Sequence, residues 1–338
     1  MFTIPIFALE VSKDHLGFVR AHFPGREKIS EEKTLVDSHF HIGRALFKTE
    51  EDYAAVVHTF FDARVGMQTI SEYGLFNSIN HVVPYEEFVA VLPKVAGIEV
   101  SFSDKYVTIA KRGDEQVVFI KGIEVESILE GSTPSILREN HQIHIAAEGF
   151  DSLHASGTHA LLEEGQRQGA YMTIAHPFTV PAGKTSIPIL KQLSAFLPPS
   201  PDEIEELYKI AKEFPVFFEG LNAGNSLWMT FTNSAVRVFA QKHNFPLIYN
   251  TDAHTRPSPP ILTRHGVSKY WLFKQQVGSA GTLVPQETTK DLESLTGKEI
   301  IEKKYEAITN TGERYGEVSN TWVFGFSVAA THLEFLIK

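Results

Sequence analysis

The chain has 338 residues, of which 31 are Lys or Arg, 41 are Asp or Glu and none is cysteine. A hydrophobic content of 43% and a charged content of 21% suit a globular protein with a full core and argue against wholesale disorder. Without cysteine there are no disulfides, thiolate metal sites, iron–sulfur clusters or cysteine nucleophiles, so any metal must rest on His, Asp and Glu; the net charge of −10 argues against a broad basic surface that grips extended nucleic acid.

No apolar run approaches the ~20 residues of a membrane-spanning helix. The N-terminal MFTIPIFALEVSKDH lacks a basic start and a small-residue cleavage site. A soluble cytoplasmic protein is therefore the expectation. In chain order, short apolar runs end in polar clusters. Leu35–Val36 leads into Asp37-Ser38-His39, Val117–Ile120 into Lys121-Gly122-Ile123-Glu124, and Met172–Ala175 into His176-Pro177. Gln142–Ala146 carries His144, Val216–Phe218 leads into Glu219-Gly220-Leu221-Asn222, and Pro246–Tyr249 into Asn250-Thr251-Asp252. These runs read as buried strands.

Helices are expected between them, over Glu50–Gly66, Tyr85–Leu92, Gly157–Gln168, Asp202–Phe214 and Thr232–His243. Segments IEVSF and YVTIA around Ser103-Asp104-Lys105 read as a hairpin. A polar helix is expected near Asp291–Ile308, and Gly281–Thr289 reads as a loop. Strand–helix alternation of this kind predicts an α/β protein with a parallel sheet or barrel. A single domain over 1–338 is expected, with a motif core at about 35–257 and with 1–33 and 265–338 as peripheral additions.

The chemistry lies where His and carboxylates fall relative to strand ends. In His39-Phe40-His41 the two imidazoles are i and i+2, so an extended chain points both the same way, toward one metal. Asp252-Ala253-His254 repeats the spacing, and His176 closes the strand MTIA. His144, Glu124 and His81 stand on or just after further strand-like runs. Ligands in parallel α/β folds gather at the C-terminal strand ends, so these segments should converge. GIEV occurs twice, placing Glu99 and Glu124 in competition; Glu124 follows the cleaner apolar run and is favoured, with Glu99 read as an exposed strand residue.

As an ordered set, VDSHFHIG, LFNSINH, FIKGIEVES, HQIHIAAEG, MTIAHPF and NTDAHTRP resemble the PHP (polymerase and histidinol phosphatase) superfamily, over roughly Leu35 to Pro257. The resemblance implies a distorted seven-stranded (β/α) barrel carrying two or three divalent metals, Zn, Mn or Fe. It further implies hydrolysis of phosphoesters by a metal-activated water. By position, His39, His41 and Asp252 match the first metal's ligands, Glu124 the bridging carboxylate, His144 and His176 the second metal's, and His81 and His254 a third's. The stretch Gly43–Lys48 lacks the Asp or His that completes the third site. Arg44 is expected to fill that space and hold a substrate phosphate, with Arg256 a second phosphate contact. His176 or His254 is expected to protonate the leaving group.

The expected substrate is a small anionic phosphorylated metabolite or nucleotide. The competing readings are an amidohydrolase-like enzyme, which would need a bridging lysine such as Lys121, and a non-catalytic, metal-stabilised binding module.

Overall fold

The computed structural model describes residues 29–73, 82–129, 142–155, 157–178, 201–222, 229–255, 257–258, 263–264 and 266–316. The strands are β1 (Lys33–Asp37), β2 (Phe40–His41), β3 (Val65–Tyr73), β4 (Glu99–Ser103), β5 (Val107–Arg112), β6 (Glu115–Ile128), β7 (Gln142–Glu148), β8 (Tyr171–Ala175), β9 (Val216–Asn222), β10 (Leu247–Asn250), β11 (Ala253–His254), β12 (Ala280–Pro285) and β13 (Glu313–Gly316). The helices are α1 (Glu50–Asp62), α2 (Tyr85–Val89), α3 (Thr158–Gln168), α4 (Pro201–Glu213), α5 (Met229–His243), α6 (Trp271–Gln276) and α7 (Gly297–Thr311). None of these is long and apolar enough to cross a membrane.

Eleven strands form one curled sheet whose path is β10-β9-β8-β7-β6-β3-β1-β12-β13, with the β4–β5 hairpin attached through β5 to the first half of β6. Pairs β1–β3, β3–β6, β8–β9 and β9–β10 are parallel, whereas β7 runs against both β6 and β8. The curl brings the two ends together: the Thr282 hydroxyl of β12 accepts from the Tyr249 amide of β10 at 3.0 Å and donates to its carbonyl at 3.2 Å. The result is a nearly closed, barrel-shaped α/β sheet, as the motif order leads one to expect. The wall from β10 to β1 holds seven strands, and β12–β13 and the hairpin add to it.

Alternation along the strands sorts the core into layers. On the convex side, Leu35, Val117 and Phe119 pack under Val56, Phe60 and Phe61 of α1, and Ile145, Ile174 and Phe218 under α3, α4 and α5. The concave side holds Val36, Met67, Val118, Ile120, Phe217, Ile248 and Val284, and α7 lies against it through Ile300, Ile301, Tyr305 and Ile308. Lys304 of α7 is fully buried, with Nζ 2.7 Å from both carboxylate oxygens of Glu148 and 3.2 Å from the Thr69 hydroxyl.

Three expectations change. The first helix stops at Asp62, where Arg64 takes a left-handed conformation (φ 55°), and Val65–Tyr73 is a strand rather than more helix. Gly281 lies in β12, not in a loop; a side chain there would meet the Val36 carbonyl at 2.6 Å, so glycine lets β12 close on β1. The described part of the 265–338 segment is thus built into the sheet and its concave core instead of lying outside them.

The N-terminus of α1 shows how the late chain is tied to the early one. Thr49 and Asp52 form a capping box, and Asp52 also accepts from the Tyr270 hydroxyl and Lys269 Nζ, each at 2.5 Å. Burial works against the Asp52 charge, but the bonds from Lys269, Tyr270 and the Lys48 amide more than offset it and hold the carboxyl well below its ordinary 3.8. A depressed folded pKa gives stability that is present above the ordinary value and is lost as pH falls through the folded one. Asp52→Asn is expected to cost about 1–2 kcal/mol at neutral pH. Melting curves of parent and variant should converge as pH is lowered below 4.

Candidate metal centre

The first ligand group is built by β2 and β11. Phe40 turns into the core against Phe60 and Phe273, which sends His39 and His41 the other way. The two strands pair in parallel, Phe40 opposite Ala253 and His41 opposite His254, and the Asp252 amide donates to the His39 carbonyl at 2.9 Å. Asp252, in a left-handed conformation (φ 44°), is thereby set beside the histidine pair. His39, His41 and Asp252 are all buried and form one group able to hold a cation.

The hydrogen bonds of the rings assign their tautomers. His41 Nδ1 lies 2.9 Å from the Ser71 carbonyl and His39 Nδ1 lies 3.2 Å from Glu219 Oε1. Both partners accept, so each Nδ1 carries the proton and each Nε2 presents a lone pair. Those two Nε2 atoms face each other at 3.0 Å. Asp252 Oδ1 is 3.5 and 3.7 Å from them, and Glu124 Oε2 is 3.5 and 3.1 Å away. Glu124 Oε2 is buried and accepts no hydrogen bond. Lone pairs aimed at one point from four side chains fit a divalent cation, and they repel one another without positive charge between them.

The charges around the group act in the same sense as that geometry. Burial disfavours charge on His39, yet the Asp252 and Glu124 carboxylates hold its pKa well above that of ordinary imidazole. Burial likewise opposes the Glu124 charge, but His144 and His39 hold its carboxyl well below the usual range.

The second group is Glu124, His144 and His176. Glu124 sits within β6, where its backbone pairs with Tyr73 and Ala146, so its side chain reaches the concave face above Ile120. Its Oε1 is 2.7 Å from His144 Nδ1 and 3.2 Å from His176 Nε2. One carboxylate therefore gives one oxygen to each group. His144 arrives differently from the rest: β7 is reversed, so the start of that strand, not its end, lies at this rim, opposite Ala175 next to His176.

The other expected residues are placed as follows. His81 and Arg256 lie outside the described residues, and so does the side chain of His254. Arg44 donates to Glu87 at 3.0 Å and to the Val82 carbonyl at 3.2 Å, so its guanidinium is committed to α2 rather than turned to the ligand groups. The phosphate grip expected of Arg44 has no support in that arrangement. Glu99 is exposed on β4, and Glu50 and Glu51 are exposed at the start of α1. Lys121, three residues from Glu124 and so on the opposite strand face, pairs with Glu86.

Sequence reasoning missed the residues behind the ligands. Glu219 is fully buried beside His39 and His176. Asn222 donates to Asp252 Oδ2 at 2.5 Å, and Tyr73 stacks on His41 with ring centroids 4.5 Å apart. Asp37 accepts from the Thr251 hydroxyl at 2.5 Å and its amide at 3.1 Å. Burial pushes the Asp37 carboxyl up to about 6 against those bonds. The only available signal was position: Glu219 and Asn222 follow a short apolar run, as His39, Glu124 and His176 do.

No family model matches the chain, and no curated protein sequence matches it. Among solved structures it is similar to PsfC from Pseudomonas syringae PB-5123, with a TM-score of 0.49 and 13% identity over 89% of this chain and 99% of that one. It is also similar, with a TM-score of 0.43 and 15% identity over 87% of this chain and 69% of the other, to a two-domain protein from Bacteroides vulgatus ATCC 8482. That protein contains what is named a "predicted PHP-like metal-dependent phosphoesterase".

Proposed function

We propose that the protein is a metal-dependent phosphoesterase acting on a small phosphorylated metabolite or nucleotide. The observation that carries the reading is Glu124, whose two oxygens serve two separate ligand groups. His39, His41, Asp252 and Glu124 would hold one divalent cation, and Glu124, His144 and His176 the other. An imidazole-rich donor set suits Zn²⁺, Mn²⁺ or Fe²⁺ better than an all-oxygen Mg²⁺ site. Two such ions, when bound, bind phosphoryl oxygens and lower the pKa of water.

The chain's own residues shape the rest. His39 and His41 are closed off from solvent, whereas the His144 and His176 side chains keep 16% and 11% of their surface exposed. Substrate therefore approaches on the His144–His176 side. Return of a proton to the leaving oxygen is assigned to His176, at this rim, or to His254. An acidic chain favours a small substrate over a long polynucleotide. The amidohydrolase reading is less well supported, because Glu124 stands where a bridging lysine would be needed and Lys121 faces away.

Elemental analysis of purified protein, joined to a phosphate-release screen with Mn²⁺ or Zn²⁺ and to amide and lactone substrates, tests this. About two ions per chain and phosphate release are expected. Cleavage of amides or lactones alone would favour the amidohydrolase. One ion or none, with no turnover, would favour the binding module.

A further inference from the structure

Glu219 lies behind both ligand groups without belonging to either. It is fully buried on β9, and four N–H donors converge on its carboxylate. Oε1 faces His39 Nδ1 at 3.2 Å and accepts from Asn250 Nδ2 at 3.1 Å. Oε2 accepts from the His176 amide at 2.8 Å and from Asn222 Nδ2 at 3.1 Å. Only an ionised carboxylate offers acceptors on both sides; an amide would set an NH₂ group against two donors.

The two oxygens divide their work between the groups. Through Oε1, Glu219 keeps the His39 proton on Nδ1 and leaves Nε2 free to ligate. Through Oε2 it anchors the backbone of His176, a non-glycine residue in the left-handed region (φ 31°). Oε2 also orients Asn222, whose Nδ2 group reaches Asp252 Oδ2 at 2.5 Å. His39 and Asp252 belong to one group and His176 to the other.

We propose that Glu219 is a shared positioning residue that sets both cation groups at once, so that the two ions bind as a linked pair. This rests on the two-cation reading. Groups that orient metal ligands from behind commonly matter 10–100-fold in metal affinity.

The test is a Co²⁺ titration of the metal-free full chain, followed by visible absorption, for the parent and for Glu219→Ala, Glu219→Gln and Glu148→Gln. Glu219→Ala should weaken both ions by roughly 10–100-fold. Glu219→Gln preserves volume and should weaken at least the ion at His39, since both oxygens serve that group. Glu148→Gln removes an equally buried carboxylate from the same barrel; it should lower the melting temperature and leave both affinities unchanged. The inference is overturned if both Glu219 variants bind both ions as the parent does, or if Glu219→Ala loses one ion while the other keeps its parent affinity. Should Glu219→Ala fail to fold, Glu219→Gln decides alone. A parent that takes up no Co²⁺ would instead overturn the two-cation reading itself.

Discussion

Glu124→Gln is expected to lower turnover by on the order of 10³-fold or more and to reduce bound metal, the largest loss of activity among single substitutions in this chain. The substitution is nearly isosteric, so packing around β6 is kept. What is lost is a negative charge serving two groups whose donors otherwise include the imidazoles of His39, His41, His144 and His176. The amide NH₂ could also occupy the lone pair of His41 Nε2, 3.1 Å away, that a cation would use. Glu99→Gln, on the exposed face of the β4–β5 hairpin, should stay within about 0.5 kcal/mol of the parent in stability and unchanged in activity. A dead Glu99 variant beside an active Glu124 variant would show that the carboxylate shared by the groups has been misplaced.

The largest loss of stability is expected at Lys304. Its ammonium is completely buried against Glu148, and burial pulls its pKa below the ordinary lysine value despite that partner. Lys304→Met would leave the Glu148 carboxylate in the concave core without its cation, the Thr69 hydroxyl at 2.7 Å remaining as a donor. Breaking one side of a buried pair typically costs about 3–5 kcal/mol. The melting temperature should fall by roughly 10 °C. Lys304→Met combined with Glu148→Leu should recover most of that loss, because the uncompensated charge is then gone. A double variant no better than the single one would mean that the pair's geometry, not its charge, holds α7 in place.

Much of the candidate ligand set could be read from spacing. The convergence of His39 with His41 needed only the two-residue period of extended chain, and His176 needed only a strand followed by proline. The reading of strand ends was less complete for His144, which comes from the beginning of a reversed strand; sequence carries no mark of strand direction. β3 was hidden because Gly66, Gln68 and Ser71 interrupt its apolar run, although all three are buried in the folded sheet. β12 was hidden for a similar reason: Gly281 reads as a turn until Val36 is known to lie against it. Glu219 and Asn222 have no spacing rule of their own, since what they contact arrives from residues 39, 176 and 252. Arg44 was singled out because Gly43–Lys48 offers no third ligand; its pairing with Glu87, 43 residues on, is a contact that spacing does not announce.

The position of α7 has a consequence for the order in which the molecule can be made. The ligands of both groups have been synthesised by residue 252, yet the helix that covers the concave face ends only at Thr311. At ~5–20 residues per second, translation leaves Val36, Met67, Val118, Ile120, Phe217 and Ile248 without their cover for about 3–12 s after the last candidate ligand emerges. The nascent chain is then an apolar trough with an exposed sheet edge at β1, because β12 has not yet arrived. Ligand groups held by such a trough would lack a fixed floor, so any metal capture is expected to follow the folding of α7 onto the sheet. A fragment ending near residue 257 would contain all of these ligands and be expected to aggregate instead of binding metal.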